Sequence, residues 1–251
     1  MRKTLVVLFS LLIFSCSESS EKKTNSFPAQ VLDVENSQLI KLLQDKPGVI
    51  LDVRTTEEVS AGYIENASFI NFYDDDFLEK ASWIKKGQPI YVYCHAGGRS
   101  SKAAMKLISL GFSEVYNLVG GYSKWLSDDL PIVKGVELSS SNYKVYKLET
   151  VYEILESSKN VLVVFKTPWC LPCKKLDIVL DNFSSKYPSW EVLKINMDKN
   201  KNIADAYSVS SVPTILAFNN NVKYFSFTGF IDLENLIKSI QKLHFVIAIF
   251  F

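Results

Sequence analysis

Hydrophobic and polar positions along the chain predict two successive α/β patterns. In the first, short apolar runs at residues 49–51, 90–93 and 115–118 alternate with helical patterns at residues 36–43 and 103–110. Apolar residues three and four positions apart indicate the helices, and short apolar runs bounded by turn residues indicate the strands. Strands and helices that alternate at this spacing predict a parallel sheet covered by helices.

The second pattern begins after a segment rich in serine, at residues 135–144, which we interpret as a linker. The elements predicted beyond it are helices at 149–157, 171–186, 203–207 and 233–243 and strands at 161–165, 192–197, 214–218 and 222–227. The last two strands flank Asn219, Asn220 and Asn221, which indicates a hairpin. The chain is therefore predicted to be an α/β protein with domains at residues 31–134 and 145–243.

The N-terminus is predicted to direct export. Arg2 and Lys3 precede an apolar run at residues 5–14, which is shorter than the ~20 residues that cross a bilayer. The run ends in Ile13-Phe14-Ser15-Cys16, which resembles a bacterial lipobox. Residues 1–15 are thus expected to be a signal peptide and Cys16 to be lipidated. A plain secretory signal followed by a chance cysteine is the alternative.

Lipidation at Cys16 would place the protein in the bacterial cell envelope, facing the periplasm. Residues 16–30, rich in Ser, Glu and Lys, suit a solvated tether. Ser17 stands where an Asp often signals retention in the inner membrane, which favours the outer membrane. Residues 244–251 form an apolar tail of unknown role, too short to span a membrane.

Composition narrows the class of function. With 47% hydrophobic and 22% charged residues, the chain is typical of a globular protein. A net charge of +1 and no basic stripe argue against nucleic-acid binding. The four cysteines are Cys16, Cys94, Cys170 and Cys173, so none remains for an additional structural disulfide.

Cys94 opens the first chemical motif, Cys94-His95-Ala96-Gly97-Gly98-Arg99-Ser100, between a buried strand and a helix. Glycines let such a loop curl so that backbone N–H groups point inward and form an anion site. A thiolate there is stabilised by these groups and by Arg99, so its pKa should fall and it should be nucleophilic near neutral pH. A buried structural cysteine is the alternative, which the two glycines and Arg99 disfavour.

Residues 47–134 resemble a rhodanese domain. The motif Ile50-Leu51-Asp52-Val53-Arg54 is similar to the family's first motif, together with Glu58, Gly62, Ile64 and Ala67. Gly120-Gly121, Trp125 and Leu130-Pro131 are similar to its C-terminal signature. Tyr63, where the family often has His, is one departure. Asp52 and Arg54 are interpreted as a structural ion pair.

The resemblance implies that Cys94 accepts a sulfane sulfur and carries it as a persulfide. Arg99 lies five positions after Cys94, as in sulfur-transferring rhodaneses, whereas the related phosphatases have a longer loop. The loop residues that would bind the substrate are His95, Ala96, Gly97, Gly98, Arg99 and Ser100. Thiosulfate, a polysulfide or a small persulfide would be the donor. The His95 side chain is expected to face solvent, and phosphatase activity is the least favoured reading.

The second motif, Trp169-Cys170-Leu171-Pro172-Cys173, follows an apolar strand and opens a helix. Two cysteines three positions apart at a helix start can approach within bonding distance, and the first gains from the helix dipole. A zinc site would need further ligands, and the sequence offers few other His or Cys residues, so we expect neither a metal nor a cofactor.

Residues from about 145 to 243 resemble a thioredoxin domain with a mixed sheet. Val212-Pro213-Thr214 is similar to the segment whose cis-proline faces the disulfide, and Lys194, Asp198 and Gly229 also fit the family. The resemblance implies a redox-active disulfide, with Cys170 as nucleophile, Cys173 as resolving thiol and Pro213 aligning the substrate. Two departures are Val164, where typical thioredoxins bury an Asp, and Leu171 in place of the usual glycine.

Together these features predict a lipid-anchored sulfurtransferase fused to a thiol–disulfide oxidoreductase. In this hypothesis the Cys170/Cys173 pair reduces the Cys94 persulfide or relays its sulfur. A thiol reductant or a protein disulfide is a further partner of the Cys170/Cys173 pair. The alternative is an oxidoreductase of exported proteins that uses the rhodanese unit as a binding module. A membrane-tethered scaffold without turnover is weaker, because a scaffold needs neither nucleophile.

Overall fold

The computed structural model describes residues 30–134 and 144–250. The predicted signal peptide, Cys16, the tether up to residue 29, linker residues 135–143 and the final residue of the tail lie outside this range. Within the described part, no helix is long and apolar enough to cross a membrane.

The first domain contains a five-stranded, wholly parallel sheet, which confirms the predicted fold class. The elements are β1 (Gln30–Val34), α1 (Asn36–Asp45), β2 (Val49–Asp52), α2 (Thr56–Ser60), β3 (Tyr63–Ile64), β4 (Ala67–Phe69), α3 (Phe77–Ser82), β5 (Ile90–Tyr93), α4 (Gly98–Ser109), β6 (Glu114–Leu118), α5 (Gly121–Ser127) and β7 (Ile132–Val133). The strands of the sheet follow the order β1-β6-β5-β2-β4, and β3 and β7 form a separate antiparallel pair.

The second domain contains a four-stranded mixed sheet. Its elements are α6 (Leu148–Ser157), β8 (Asn160–Lys166), α7 (Leu171–Lys186), β9 (Glu191–Asn196), α8 (Lys201–Ala206), β10 (Thr214–Asn219), β11 (Val222–Thr228) and α9 (Leu233–Phe250). The strands follow the order β11-β10-β8-β9. Strands β8 and β9 are parallel, and β10 runs antiparallel to both β8 and β11, as the predicted hairpin requires.

Burial explains why the central strands form where they do. Every residue of β2 and β5 is buried, as expected for parallel strands with helices on both faces. Helix α4 buries its small residues Ala103 and Ala104 and also Leu107, which lie at helical spacing. Both strands end at the same edge of the sheet, so the loop that starts at Cys94 lies at the carboxyl edge of the sheet.

The structure differs from the predicted elements at short segments and at the C-terminus. Strands β3, β4 and β7 have two or three residues each, too few to show a period in the sequence. Helix α9 was expected to end at residue 243, but it continues to Phe250 and so includes most of the predicted tail.

Candidate functional site

The first candidate site is the loop between β5 and α4. Cys94 follows the buried strand β5 and is itself 1% exposed. Gly97 has a φ angle of 102°, a left-handed conformation that glycine adopts without steric cost, and the loop curls there. The backbone N–H of Gly97 donates to Cys94 Sγ at 3.1 Å. The loop thus turns a donor toward the sulfur, as the sequence predicts.

The start of helix α5 holds this loop in place. The N–H of Tyr122 donates to the Cys94 carbonyl at 2.8 Å, and the N–H of Ser123 donates to the His95 carbonyl at 2.9 Å. A Cβ atom on Gly121 would lie 2.3 Å from the Cys94 carbonyl oxygen. Glycine is therefore required at this position of the C-terminal motif because α5 packs directly against the nucleophile loop.

Hydrogen bonds decide the ionisation of Cys94. Burial by itself would raise the pKa of the thiol, but the Ser100 side chain and the backbone N–H groups of Ser100, Gly97 and Ala96 stabilise the thiolate. The net pKa lies below the ordinary value of a cysteine. The loop therefore favours an ionised sulfur at position 94, which is the form that attacks electrophilic sulfur.

Arg99 is held by Glu58 in a two-bond fork. Its Nη1 and Nη2 atoms donate to the two carboxylate oxygens at 2.6 and 2.7 Å. The hydrogen bonds from Arg99 lower the pKa of Glu58 to about 2, and Glu58 in turn raises that of Arg99. Ser100 and the loop N–H groups are the main stabilisers of the Cys94 thiolate, and the Arg99 charge interacts with Cys94 as well as with Glu58.

His95 lies at the rim of this loop, with its side chain exposed as predicted. Its Nε2 atom is 3.1 Å from Ser123 Oγ, and its Nδ1 atom is 4.0 Å from the Glu58 carboxylate. Ala96 and Gly98 are exposed beside it, so the outer side of the loop is open to a small molecule. This position suits substrate contact through the loop backbone.

A hydrogen-bond chain that is buried at Ser100 and Asn117 and ends at the exposed Asp33 positions Ser100. The Ser100 hydroxyl has a single proton, which it donates either to Asn117 Oδ1 at 2.7 Å or to the Cys94 sulfur. Asn117 Nδ2 donates to Asp33 Oδ1 at 2.7 Å. Asn117 and Asp33 were not among the predicted site residues. They lie on neighbouring strands β6 and β1, and no local motif marks them, because the contact arises only when the sheet assembles.

Asp52 and Arg54 form a buried ion pair, which confirms their structural interpretation. Arg54 Nη2 donates to the Asp52 carboxylate at 2.7 Å and to the Gly62 carbonyl at 2.7 Å. Its guanidinium carbon lies 3.9 Å from the centre of the Tyr122 ring. The pair therefore ties the end of β2 to α5, the helix that supports the Cys94 loop.

The second candidate site is the disulfide between Cys170 and Cys173 at the start of helix α7. Cys170 is the residue just before the helix, and the N–H of Cys173 donates to its sulfur at 3.2 Å. The Val212–Pro213 peptide bond is cis, as the thioredoxin resemblance implies. Cys170 and Cys173 are 3% and 1% exposed, so both sulfurs are almost completely covered.

Val164 and Trp169 are two of the residues near the Cys170–Cys173 disulfide that the sequence singled out. Val164 is fully buried in an apolar cluster with Leu180 and Phe183. Trp169 Nε1 donates to Asp198 Oδ1 at 3.1 Å. Burial raises the pKa of Asp198, although the Trp169 hydrogen bond partly opposes this shift.

A partly buried ion pair joins β8 to α7. Lys166 donates to Asp177, which lies one helical turn beyond Cys173. Burial lowers the pKa of Lys166, and the bond to Asp177 opposes this shift.

The first domain covers the redox pair. The edge strand β4 turns the Phe69 N–H away from the sheet, and this group donates to the Trp169 carbonyl at 3.0 Å. Ser68 Oγ accepts from the Leu171 N–H at 3.0 Å, next to Cys170. Burying an edge strand in this way satisfies backbone groups that would otherwise be exposed.

A second contact lies beside the cis-proline. The Val212 N–H donates to the Trp83 carbonyl at 2.9 Å, and Ile84 forms a parallel bridge with Val212. Ser68 and Trp83 were not predicted as site residues. Their partners lie more than 100 positions along the chain, so the sequence carries no local signal for them.

Comparison with known proteins identifies both halves. The Rhodanese-like domain model matches residues 35–128, and the Thioredoxin model matches residues 142–242. Thioredoxin 1 of Synechococcus elongatus is 34% identical over 36% of this chain and 85% of its own length. The thioredoxin of Rickettsia felis is 38% identical over 36% of this chain and 87% of its own length. The chain belongs to the thioredoxin family and carries a rhodanese-like domain in front.

A rhodanese-related protein from Thermoplasma volcanium is similar in structure, with a TM-score of 0.37 and 26% identity over 41% of this chain and 97% of that protein. The thioredoxin relatives support thiol–disulfide oxidoreductase chemistry at Cys170 and Cys173. For the rhodanese-like domain, the family match supports sulfur transfer at the level of the family. Cys94 and Cys170 thus lie in the two domains whose families use a nucleophilic cysteine.

Proposed function

We propose that this protein is an extracytoplasmic, lipid-anchored sulfurtransferase whose Cys94 persulfide is reduced or relayed by the Cys170/Cys173 pair. The observation that carries the proposal is the Cys94 loop. Its N–H groups and Ser100 lower the pKa of a cysteine that follows a buried strand. A thiolate at that position is suited to attack a sulfane sulfur.

The chemistry divides into two balanced steps. In the first, the Cys94 thiolate attacks the sulfane sulfur of thiosulfate, which forms a Cys94 persulfide and releases sulfite. In the second, the Cys170 thiolate attacks the inner sulfur of that persulfide, which forms a Cys94–Cys170 disulfide and releases sulfide. The Cys173 thiolate then attacks the Cys170 sulfur, which forms the Cys170–Cys173 disulfide and frees Cys94 as a thiolate.

Sheet topology supports an encounter between the two sites. Cys94 follows β5, and Trp169 contacts β4, with β2 between these strands. Neighbouring strands lie about 4.8 Å apart, so about 10 Å separates β5 from β4. Cys94 is buried beneath its own loop and Cys170 is covered by the first domain, so direct exchange requires the domains to move apart before the two sulfurs can meet.

Sulfur transfer is tested with the full-length chain and thiosulfate and cyanide as substrates. We expect Cys94→Ser to abolish thiocyanate formation and Cys170→Ser, the matched control, to retain it. Thiocyanate formation that survives Cys94→Ser would contradict the first step. Hydrolysis of a phosphoester that depends on Cys94 would instead assign the loop to phosphatase chemistry.

The relay is tested separately with Cys173→Ser, which lacks the resolving thiol. After loading with a persulfide, mass spectrometry should detect a disulfide between the Cys94 and Cys170 peptides. The double variant Cys173→Ser/Cys94→Ser is the control and should show no such adduct. If the adduct is missing from the fully loaded single variant, the relay is wrong, while sulfur transfer at Cys94 can still stand.

The second candidate function is a thiol–disulfide oxidoreductase of exported proteins that uses the rhodanese-like domain as a binding module. The docking of β4 and Trp83 around the redox pair favours it, since a domain that binds there can control access to Cys170. This function predicts disulfide exchange that Cys94→Ser leaves unchanged and no formation of thiocyanate.

The anchor and location are part of the same proposal. The lipobox-like sequence ending at Cys16 supports acylation there, and Ser17 favours the outer membrane over the inner one. Metabolic labelling with a fatty-acid analogue should mark the wild-type chain and leave Cys16→Ser unlabelled. Ser15→Ala is a conservative control that should keep the label. Label that persists in Cys16→Ser would contradict the anchor.

A further inference from the structure

A cavity of about 270 Å³ lies between the two domains beside the redox pair. Cys170 and Pro213 line it from the second domain, and Ser68, Ile84 and Lys85 line it from the first. Pockets for drug-sized ligands start at about 300 Å³. The cavity therefore suits a molecule smaller than those ligands, and it offers such a molecule contact with the sulfur-bearing residue Cys170.

The first domain already binds backbone groups on both sides of this cavity. The Val212 N–H next to the cis-proline binds the Trp83 carbonyl, and Ile84 pairs with Val212 as a short strand would. The Leu171 N–H on the other side of Cys170 binds Ser68. An extended protein segment binds largely through such main-chain groups. In the docked form these contacts belong to the first domain, which leaves the cavity to small molecules.

The charge of the cavity favours an anion. Of the described residues that line it, Lys85 is the one that carries a charge. Lys85 Nζ donates to the Thr228 carbonyl at 3.0 Å, and an ammonium group has three N–H donors. A Cβ atom on Gly229 would lie 3.3 Å from Nζ, so the glycine leaves room for the ammonium to lie at the cavity wall.

We propose that this cavity binds a small anionic thiol that reduces the Cys170–Cys173 disulfide. The inference rests on the redox half of the proposed function and names the class of reductant. The thiolate of one molecule attacks Cys170 Sγ and breaks the Cys170–Cys173 bond, and Cys173 leaves as a thiolate. A second thiolate attacks the bound thiol sulfur, which forms a small disulfide and frees Cys170. Two electrons pass from the two thiols to the pair.

The test measures reduction of the disulfide in the full-length Cys94→Ser chain with three probes. They are 2-mercaptoethanesulfonate, which carries a permanent negative charge, neutral 2-mercaptoethanol, and a thiol-terminated polyethylene glycol too large for the cavity. Reactions are quenched in acid, and alkylation with mass spectrometry gives the reduced fraction. Each rate is divided by the concentration of the probe's thiolate, so that differences in the pKa of the probes do not affect the comparison of the rates.

We expect the sulfonate to react about threefold faster than mercaptoethanol, as a partly screened ion pair with Lys85 allows. Lys85→Gln should remove this advantage. Lys223→Gln should keep it, because Lys223 is exposed and lies near the opposite end of β11. The polymer thiol should react on the order of tenfold more slowly than mercaptoethanol, since exchange depends on access to the sulfur.

An equal sulfonate advantage in Lys85→Gln and the parent chain would overturn the proposal, as would a polymer thiol that reacts as fast as mercaptoethanol. Because Cys94 is replaced throughout, these rates do not depend on sulfur transfer. If the reduction rates contradict the small-thiol site, sulfur transfer at Cys94 is unaffected. If the thiocyanate assay fails, the reduction rates still test the small-thiol site.

Discussion

The indole rings of Trp83 and Trp169 stack across the contact between the two domains, with centroids 6.4 Å apart and an angle of 14° between their planes. Trp169 directly precedes Cys170, and the Trp83 carbonyl binds the residue before the cis-proline. The stacked pair thus joins the rhodanese-like domain to both chain segments that frame the redox disulfide. Opening this contact is therefore expected to expose Cys170.

Removing one ring should open the interface. Trp83→Ala deletes packing of about 3–5 kcal/mol, part of which lies across the domain contact. In the reduced protein, a bulky maleimide should therefore alkylate Cys170 faster in this variant than in the wild type, as measured by mass spectrometry of the Cys170 peptide. Trp190→Ala, which removes an aromatic contact with Phe183 inside the second domain, is the control. Equal acceleration in both variants would point to general loosening of the fold.

The ionisation of Cys94 should respond to Ser100. The wild-type alkylation rate should reach half its maximum below about pH 8.5, the usual pKa of a free cysteine. Ser100→Ala removes a side-chain hydrogen bond that lowers this pKa, so the midpoint should move to higher pH and the rate at pH 7 should fall. Ser101→Ala changes an exposed neighbour and should leave the midpoint in place. A wild-type midpoint at or above that of a free cysteine would contradict an ionised Cys94.

The fork between Glu58 and Arg99 predicts a pH dependence of stability. Hydrogen bonds from Arg99 lower the pKa of Glu58 to about 2 in the folded protein, below its unfolded value of about 4.3. This contribution is therefore complete above about pH 4.3 and is lost as the pH falls through about 2. Urea unfolding should show Glu58→Gln less stable than the wild type by about 1 kcal/mol at pH 7.

The difference between Glu58→Gln and the wild type should shrink as the pH approaches 2. Glu57→Gln alters an exposed carboxylate one position earlier and serves as the control, with a smaller effect at pH 7. Glu58 also accepts a hydrogen bond from the Thr55 N–H at the start of α2. A Glu58→Gln deficit that stays constant between neutral pH and pH 2 would show that it arises from this capping contact and not from the charge pair.

Replacing only one partner of the buried Asp52–Arg54 ion pair should lower the free energy of unfolding considerably. Arg54→Met leaves the Asp52 carboxylate buried without its partner, which should destabilise the protein by about 3–5 kcal/mol in urea unfolding. The double variant Asp52→Asn/Arg54→Met removes both charges and should recover part of that loss. A double variant less stable than Arg54→Met would show that the pair acts through packing against Tyr122 and not through charge.

Sequence patterns predict this protein best where chemistry and local structure coincide. The runs at 90–93 and 161–165 became β5 and β8, and the cysteine motifs follow each of them as predicted. The hairpin also formed, with Asn220 and Asn221 at φ angles of 45° and 64°, where asparagine is tolerated. These features depend on residues close together in the chain, so local patterns reveal them.

Sequence patterns predict least where a residue contacts a partner that lies far away along the chain. The sequence suggested that Arg99 stabilises the Cys94 thiolate, and the two charges do interact, but no local pattern indicated that the Arg99 guanidinium also pairs with Glu58, 41 positions earlier. Strand β4 has three residues and no recognisable period, yet it covers the redox pair. The end of α9 also differed, because an apolar tail carries no stop signal that would separate it from the preceding helix.

Glycines, residue spacing and hydrophobic periods act over a few residues, so local patterns are enough to predict the two α/β domains, the nucleophile loop at Cys94 and the redox pair at Cys170 and Cys173. The groups that tune the Cys94 sulfur, and the docking of the first domain on the disulfide, depend instead on contacts between distant parts of the chain. The physical reason is that hydrogen bonds such as that from Leu171 to Ser68 join residues 103 positions apart. Such hydrogen bonds form, and stabilise the protein, only once both sheets have formed and packed together.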